Sequence, residues 1–218
     1  MCGGRSRSPE VPTISTTLSP DAATTPDTAQ ALLFDCDGTL VDSVAAWEQA
    51  WIRALAEYGV PITSDWYRAR AGLSPRDLVH AAERDAGAPL DLDVVLARGI
   101  ALYVDSAATV RPNQPVLEVA RTHHGRVPLA VVSGGPRSGV DAALAAVGAR
   151  HLFDHVITID DVSRGKPAPD LYLRALEVLG RTARSCLAYE DSDEGLRAAA
   201  AAGIPVIDVR RGTVASAP

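Results

Sequence analysis

The stretch Ala31-Leu32-Leu33-Phe34-Asp35-Cys36-Asp37-Gly38-Thr39-Leu40-Val41-Asp42-Ser43 constrains this chain more than any other. A short apolar run ends in two carboxylates, and a glycine follows. The run Ala31 to Phe34 reads as a buried strand that delivers Asp35 to its C-terminal end. Side chains alternate faces along a strand, so Asp35 and Asp37 start on the same side and Cys36 points away. Open α/β sheets gather their sites at such strand ends. Gly38 allows a sharp turn without a Cβ penalty. Neighbouring carboxylates repel in a low dielectric, and a divalent cation offsets them; oxygen ligands of this kind suit Mg²⁺. A hairpin turn or a calcium-loop fragment is the plainer alternative. Leu40 and Val41 interrupt the alternate oxygen ligands that a calcium loop requires.

The strand sits in a chain whose pattern is α/β. Residues 1–29 are rich in Ser, Thr, Pro, Ala and Gly without periodicity, which predicts a disordered tail with no secretory h-region. Residues 46–110 carry only helical signals. Trp47, Trp51, Leu55 and Tyr58 recur at helical spacing after Asp42 or Ser43, either of which can cap. Ser74-Pro75 opens a later helix, and Leu92, Val95, Leu96, Gly99, Leu102 and Tyr103 mark the last. From Arg111 onward, short apolar strands alternate with helices of about ten residues, which predicts βαβ units and a parallel sheet. The expected organisation is a Rossmann-like α/β core from residues 30–45 and 111–218, with an all-helical insert, 46–110, between them.

Three further stretches carry chemistry. Val131-Val132-Ser133-Gly134-Gly135 puts a hydroxyl and free backbone N–H groups past a strand end, as phosphate binding needs. On these residues alone, a plain strand-to-helix turn is the stronger reading. Neither a dinucleotide fingerprint nor a P-loop fits, because Pro136 and Val140 occupy required positions. Lys166, in Gly165-Lys166-Pro167-Ala168-Pro169-Asp170, is the only lysine among 218 residues. A compact ammonium suits a site that must neutralise a phosphoryl group and a carboxylate. Tyr189-Glu190-Asp191-Ser192-Asp193-Glu194-Gly195 places acids at another strand end. There Asp193 and Glu194 read as helix-start residues near the positive end of the dipole.

Together these stretches resemble, in order and spacing, the four motifs of the haloacid dehalogenase superfamily, over about residues 31–210. The resemblance implies Asp35 as nucleophile and Asp37 as general acid/base. It implies Ser133, Gly134 and Lys166 as phosphate-binding groups. Asp35, Asp37 (through its carbonyl), Glu190 and Asp191 would surround Mg²⁺, with Asp191 a direct ligand and Glu190 close to the ion or its waters. The helical insert falls where this family carries a cap. Ala71-Gly72-Leu73-Ser74-Pro75-Arg76-Asp77 resembles the cap loop of β-phosphoglucomutases, which makes Arg70, Ser74 and Arg76 candidate substrate contacts. His124-Gly125-Arg126-Val127-Pro128 and Ala202-Gly203 with Val206-Ile207-Asp208-Val209-Arg210 look closest to fructose-1-phosphate-type sugar phosphatases. Two departures stand out. Trp47 occupies a position where relatives often carry His, and the lysine common on the last cap helix has no counterpart near Arg98 to Ala101.

The expected activity is therefore Mg²⁺-dependent hydrolysis of small sugar phosphates through an aspartyl-phosphate. A phosphomutase on the same scaffold is the alternative. A receiver-like or non-catalytic phosphate-binding module is the rival of another class, although a receiver would lack the helical insert. The partner is a small phosphorylated metabolite. A net charge of −6 disfavours nucleic acid and anionic membrane, and no apolar run approaches a membrane span of about 18 residues. Three cysteines without metal-type spacing point to a reducing, cytoplasmic setting. A monomer or weak homodimer is expected.

Overall fold

The computed structural model describes residues 24–70, 73–211 and 213–215. Eight strands and eight α-helices are described, in the order β1 (Ala31–Phe34), β2 (Val41–Asp42), α1 (Val44–Glu57), α2 (Ser64–Arg68), α3 (Pro75–Ala86), α4 (Leu92–Ser106), β3 (Arg111–Pro112), α5 (Gln114–His123), β4 (Leu129–Val132), α6 (Arg137–Ala146), β5 (His155–Ile157), α7 (Asp170–Leu179), β6 (Cys186–Glu190), α8 (Asp193–Ala201), β7 (Val206–Asp208) and β8 (Thr213–Ala215). The main sheet runs β5-β4-β1-β6-β7-β8. All its pairings are parallel except β7–β8, which is antiparallel. The fold is α/β with a mostly parallel sheet.

Alternation along the strands explains why the short apolar runs are buried throughout. Leu32, Phe34, Leu129, Val131, Leu187 and Tyr189 join a core with α1, α4, α5 and α6. Ala31, Leu33, Ala130, Val132, Cys186 and Ala188 face the other way, onto α7 and α8. A parallel sheet covered on both faces needs apolar side chains on both, which is why these strands lack polar alternation. Chain order reverses at β1, whose neighbours are β4 and β6. Such a switch point opens a crevice at the strand ends, where ligands bind.

The helices α1 to α4 stand together, with α1 packed along α4. The two chain segments that join them to the sheet pair as a short antiparallel ribbon, Val41 with Pro112 and Asp42 with Arg111. Sequence patterning did not show this ribbon, because two-residue strands carry no periodicity. Nor did it show β8. The disordered tail expected over 1–29 lies mostly outside the described residues, but its last part is folded and needs correction. Thr25 and Thr28 close a turn, Thr24 Oγ1 donates to the Arg184 carbonyl, and Ala29 is buried. Local hydroxyl-to-backbone bonds stabilise a turn that composition alone does not reveal.

Candidate active site

Three strand ends meet in the crevice. Strand β1 delivers Asp35, β4 delivers Ser133, and Glu190 closes β6 with Asp191 next in line. Gly38, at φ +89°, turns the chain back beside Asp191. A carboxylate oxygen from each of Asp35, Glu190 and Asp191 lies within 4.8 Å of the others. The sequence separates Asp35 from Glu190 and Asp191 by more than 150 positions, and parallel pairing of β1 with β6 brings them together.

Lys166 holds the cluster. Its Nζ donates to Asp35 Oδ1 at 2.7 Å and to the Val132 carbonyl at 2.9 Å, and it lies 2.5 Å from Glu190 Oε1. The side chain is only 9% exposed, so these pairs are desolvated. Burial alone would lower the lysine pKa, but the facing Asp35 and Glu190 outweigh it and push the value up. Burial raises Glu190 to about 7 and Asp191 to about 6, against the opposing pull of Lys166. A set of oxygen-only donors carrying more negative charge than one lysine offsets is suited to a hard cation. The cluster can therefore hold a metal ion.

Glu190 is the most tightly held of the acids. It is fully buried, and Tyr172 of α7 donates to its Oε1 at 2.7 Å. The first turn of α8 passes so close that a Cβ on Gly195 would lie 2.0 Å from Glu190 Oε2. Glycine at that position is a condition for the carboxylate to be there. Asp191 is held by Thr39, whose hydroxyl donates to Oδ1 at 3.3 Å.

Asp37 is set apart from that cluster. Its Oδ1 accepts from Ser43 Oγ at 2.5 Å, Trp47 Nε1 at 3.0 Å and Tyr103 Oη at 3.3 Å. Burial raises its pKa, and these hydrogen bonds oppose the rise only in part. A carboxyl kept more protonated than usual can serve as a general acid. Ser133 is buried, and its Oγ accepts from Gly135 N–H at 3.0 Å, keeping a hydroxyl proton to donate. Gly134 follows it in the loop with open space at its Cα.

The cap candidates are placed differently. Arg70 stacks over the Trp66 ring at 4.0 Å and pairs with Asp85 at 2.6 Å. Ser74 caps α3 by accepting from Asp77 N–H. Arg76 is exposed, 3.7 Å from Asp93. These contacts all lie within the helical insert, and none reaches the Asp35 cluster among the described residues. Ala71 and Gly72 of the same loop lie outside the described residues.

Sequence reasoning missed Thr39, Ser43, Tyr103 and Tyr172. Ser43 occupies the N-cap position of α1 but makes no capping bond; its hydroxyl goes to Asp37. Tyr103 read as an apolar-face residue. The available signal was a hydroxyl beside apolar residues, which has to find a partner when buried.

A model described as haloacid dehalogenase-like hydrolase matches residues 29–203. Fructose-1-phosphate phosphatase YqaB of Escherichia coli (strain K12) is 36% identical over 181 residues, 82% of this chain and 95% of that protein. Validoxylamine A 7'-phosphate phosphatase of Streptomyces hygroscopicus subsp. limoneus is 36% identical over 174 residues, 79% of this chain and 81% of that protein. Among solved structures, CbbY from Rhodobacter sphaeroides in complex with phosphate superposes with a TM-score of 0.72 at 29% identity, covering 82% of this chain and 85% of that one. With the motif-bearing residues gathered at one sheet crevice and a family match spanning most of its length, the chain belongs to the haloacid dehalogenase-like hydrolases.

Proposed function

We propose that this protein is a Mg²⁺-dependent phosphatase of small sugar phosphates that works through a phosphorylated Asp35. The observation that carries the reading is the difference in surroundings between two neighbouring aspartates. Asp35 is paired with Lys166, whereas Asp37 is held apart by neutral donors with its pKa raised. One carboxylate suits attack and the other suits proton transfer. The named phosphatases at 36% identity support the substrate class.

In this mechanism Asp35 attacks phosphorus, and the bond from phosphorus to the sugar oxygen breaks. Asp37 gives its proton to that leaving oxygen. It then takes a proton from the water that attacks the aspartyl-phosphate, releasing phosphate and restoring Asp35. Lys166, Ser133 and the Gly134 N–H face the phosphoryl oxygens. Asp35, Asp191 and the Asp37 carbonyl, with Glu190 beside them, would hold Mg²⁺, whose chemistry there is to neutralise phosphoryl charge. The insert α1–α4 acts as the cap that excludes water, and Arg70, Ser74 and Arg76 contact substrate only if their present partners are exchanged. Free Cys36 and Cys186 suit a reducing cytoplasm.

The test is phosphate release over a panel of sugar phosphates with Mg²⁺, for wild type and Asp35→Asn. Turnover in the wild type and none in a folded Asp35→Asn supports the reading, and equal release by both refutes it. With β-glucose 1-phosphate and a trace of the 1,6-bisphosphate, inorganic phosphate should outpace glucose 6-phosphate; the reverse would make the enzyme a mutase.

A further inference from the structure

Asp37 carries more hydrogen bonds than a freely swinging acid needs, and all of them fall on one oxygen. Ser43 Oγ, Trp47 Nε1 and Tyr103 Oη each donate to Oδ1, at 2.5, 3.0 and 3.3 Å. The other oxygen looks elsewhere: a Cβ on Gly135 would lie 3.3 Å from Asp37 Oδ2 and equally near Ser133 Oγ. Oδ2 therefore faces the loop that follows β4. The two ring donors are themselves immobilised. Trp47 of α1 and Tyr103 of α4 stack with centroids 3.7 Å apart and planes 3° from parallel. The backbone of Gly139 in α6 closes on both, since a Cβ there would lie 3.4 Å from either ring. An indole is a donor only, and a neutral phenol donates here as well, so neither ring group relays the proton.

We propose that Trp47 and Tyr103 are positioning residues which, with Ser43, hold the general acid by Oδ1 and so present Oδ2 to the leaving oxygen. This rests on the phosphatase reading above. Saturating Oδ1 with three donors leaves Oδ2 as the oxygen that carries the mobile proton, and the stacked rings set its direction. The same rings belong to two helices of the insert and lean on a helix of the core. The aim of the acid is thereby tied to the seating of the insert.

The test separates aim from structure by the leaving group. An alkyl sugar phosphate needs its leaving oxygen protonated, whereas 4-nitrophenyl phosphate releases a stable phenolate and does not. Trp47→Phe keeps a ring in the stack and deletes the N–H, and Tyr103→Phe deletes one hydroxyl. General acid catalysis contributes roughly 10²–10⁴-fold, so each variant should lose about tenfold in kcat/KM on the sugar phosphate and less than about threefold on the aryl ester. Trp47→His, which restores a donor, should recover part of the loss. Equal losses on both esters, or no loss on the sugar phosphate, overturn the proposal. If Trp47→Phe does not accumulate as folded protein, Tyr103→Phe carries the same comparison. A wild type that cleaves neither ester overturns the phosphatase reading, and this proposal with it.

Discussion

Replacing Lys166 with Met removes the one cation from the acidic cluster while keeping most of its stem volume. Its Nζ touches Asp35 at 2.7 Å, Glu190 at 2.5 Å and the Val132 carbonyl at 2.9 Å, all with little solvent. Taking one partner from a buried pair costs about 3–5 kcal/mol. Two features favour the low end. Tyr172 still donates to Glu190, and a Glu190 carboxyl already near 7 can take up a proton and neutralise itself. The expected loss is therefore ~3 kcal/mol at pH 8, or ~6–12 °C in Tm for a domain of this size. At pH 6 the loss should be smaller. The sign follows from proton counts. Without Lys166 the folded Glu190 value rises further above its ordinary 4.5. The folded state then binds more protons than the unfolded one, and stability falls as pH rises. Urea titration and thermal melts in EDTA at both pH values measure this. A loss under ~1 kcal/mol at pH 8, or a larger loss at pH 6 than at pH 8, would refute the placement of Lys166 as the cluster's counter-charge.

Other outcomes follow from the same geometry. Gly195→Ala drives a methyl to 2.0 Å from a buried, cross-tied Glu190, so urea titration should show a loss of ~1–3 kcal/mol or more. Gly134→Ala, in open space, should stay within ~0.5 kcal/mol of wild type. Chelation with EDTA should abolish turnover and Mg²⁺ should restore it; full activity in metal-free buffer would rule out the carboxylate site as a metal centre. The Arg210 guanidinium holds the Asp208 carboxyl below its ordinary value. That contribution is present above the ordinary carboxylate range and is lost as pH falls. Arg210→Ala should therefore lose less stability than wild type between pH 6 and pH 3, measured by melts across that range.

What the sequence determined by itself is what neighbouring residues decide through local chemistry. The run Ala31 to Phe34 read as a buried strand, and its four apolar side chains find cover on two faces, from α1 with α4–α6 on one side and α7 with α8 on the other. The α/β pattern, the helical stretch between Val44 and Ser106 and the solitary Lys166 were legible for the same reason. Tertiary structure decided which oxygen meets which proton. Lys166 reaches Asp35 across 131 positions, and Tyr103 reaches Asp37 across 66. Ser43 read as a helix cap and Tyr103 as apolar filling. Arg70 read as a substrate contact, yet it pairs with Asp85 over Trp66. In each case the local pattern allowed several partners. The choice among them was made by packing, when strands β1, β4 and β6 brought their ends together and the helical insert set two stacked rings over Asp37.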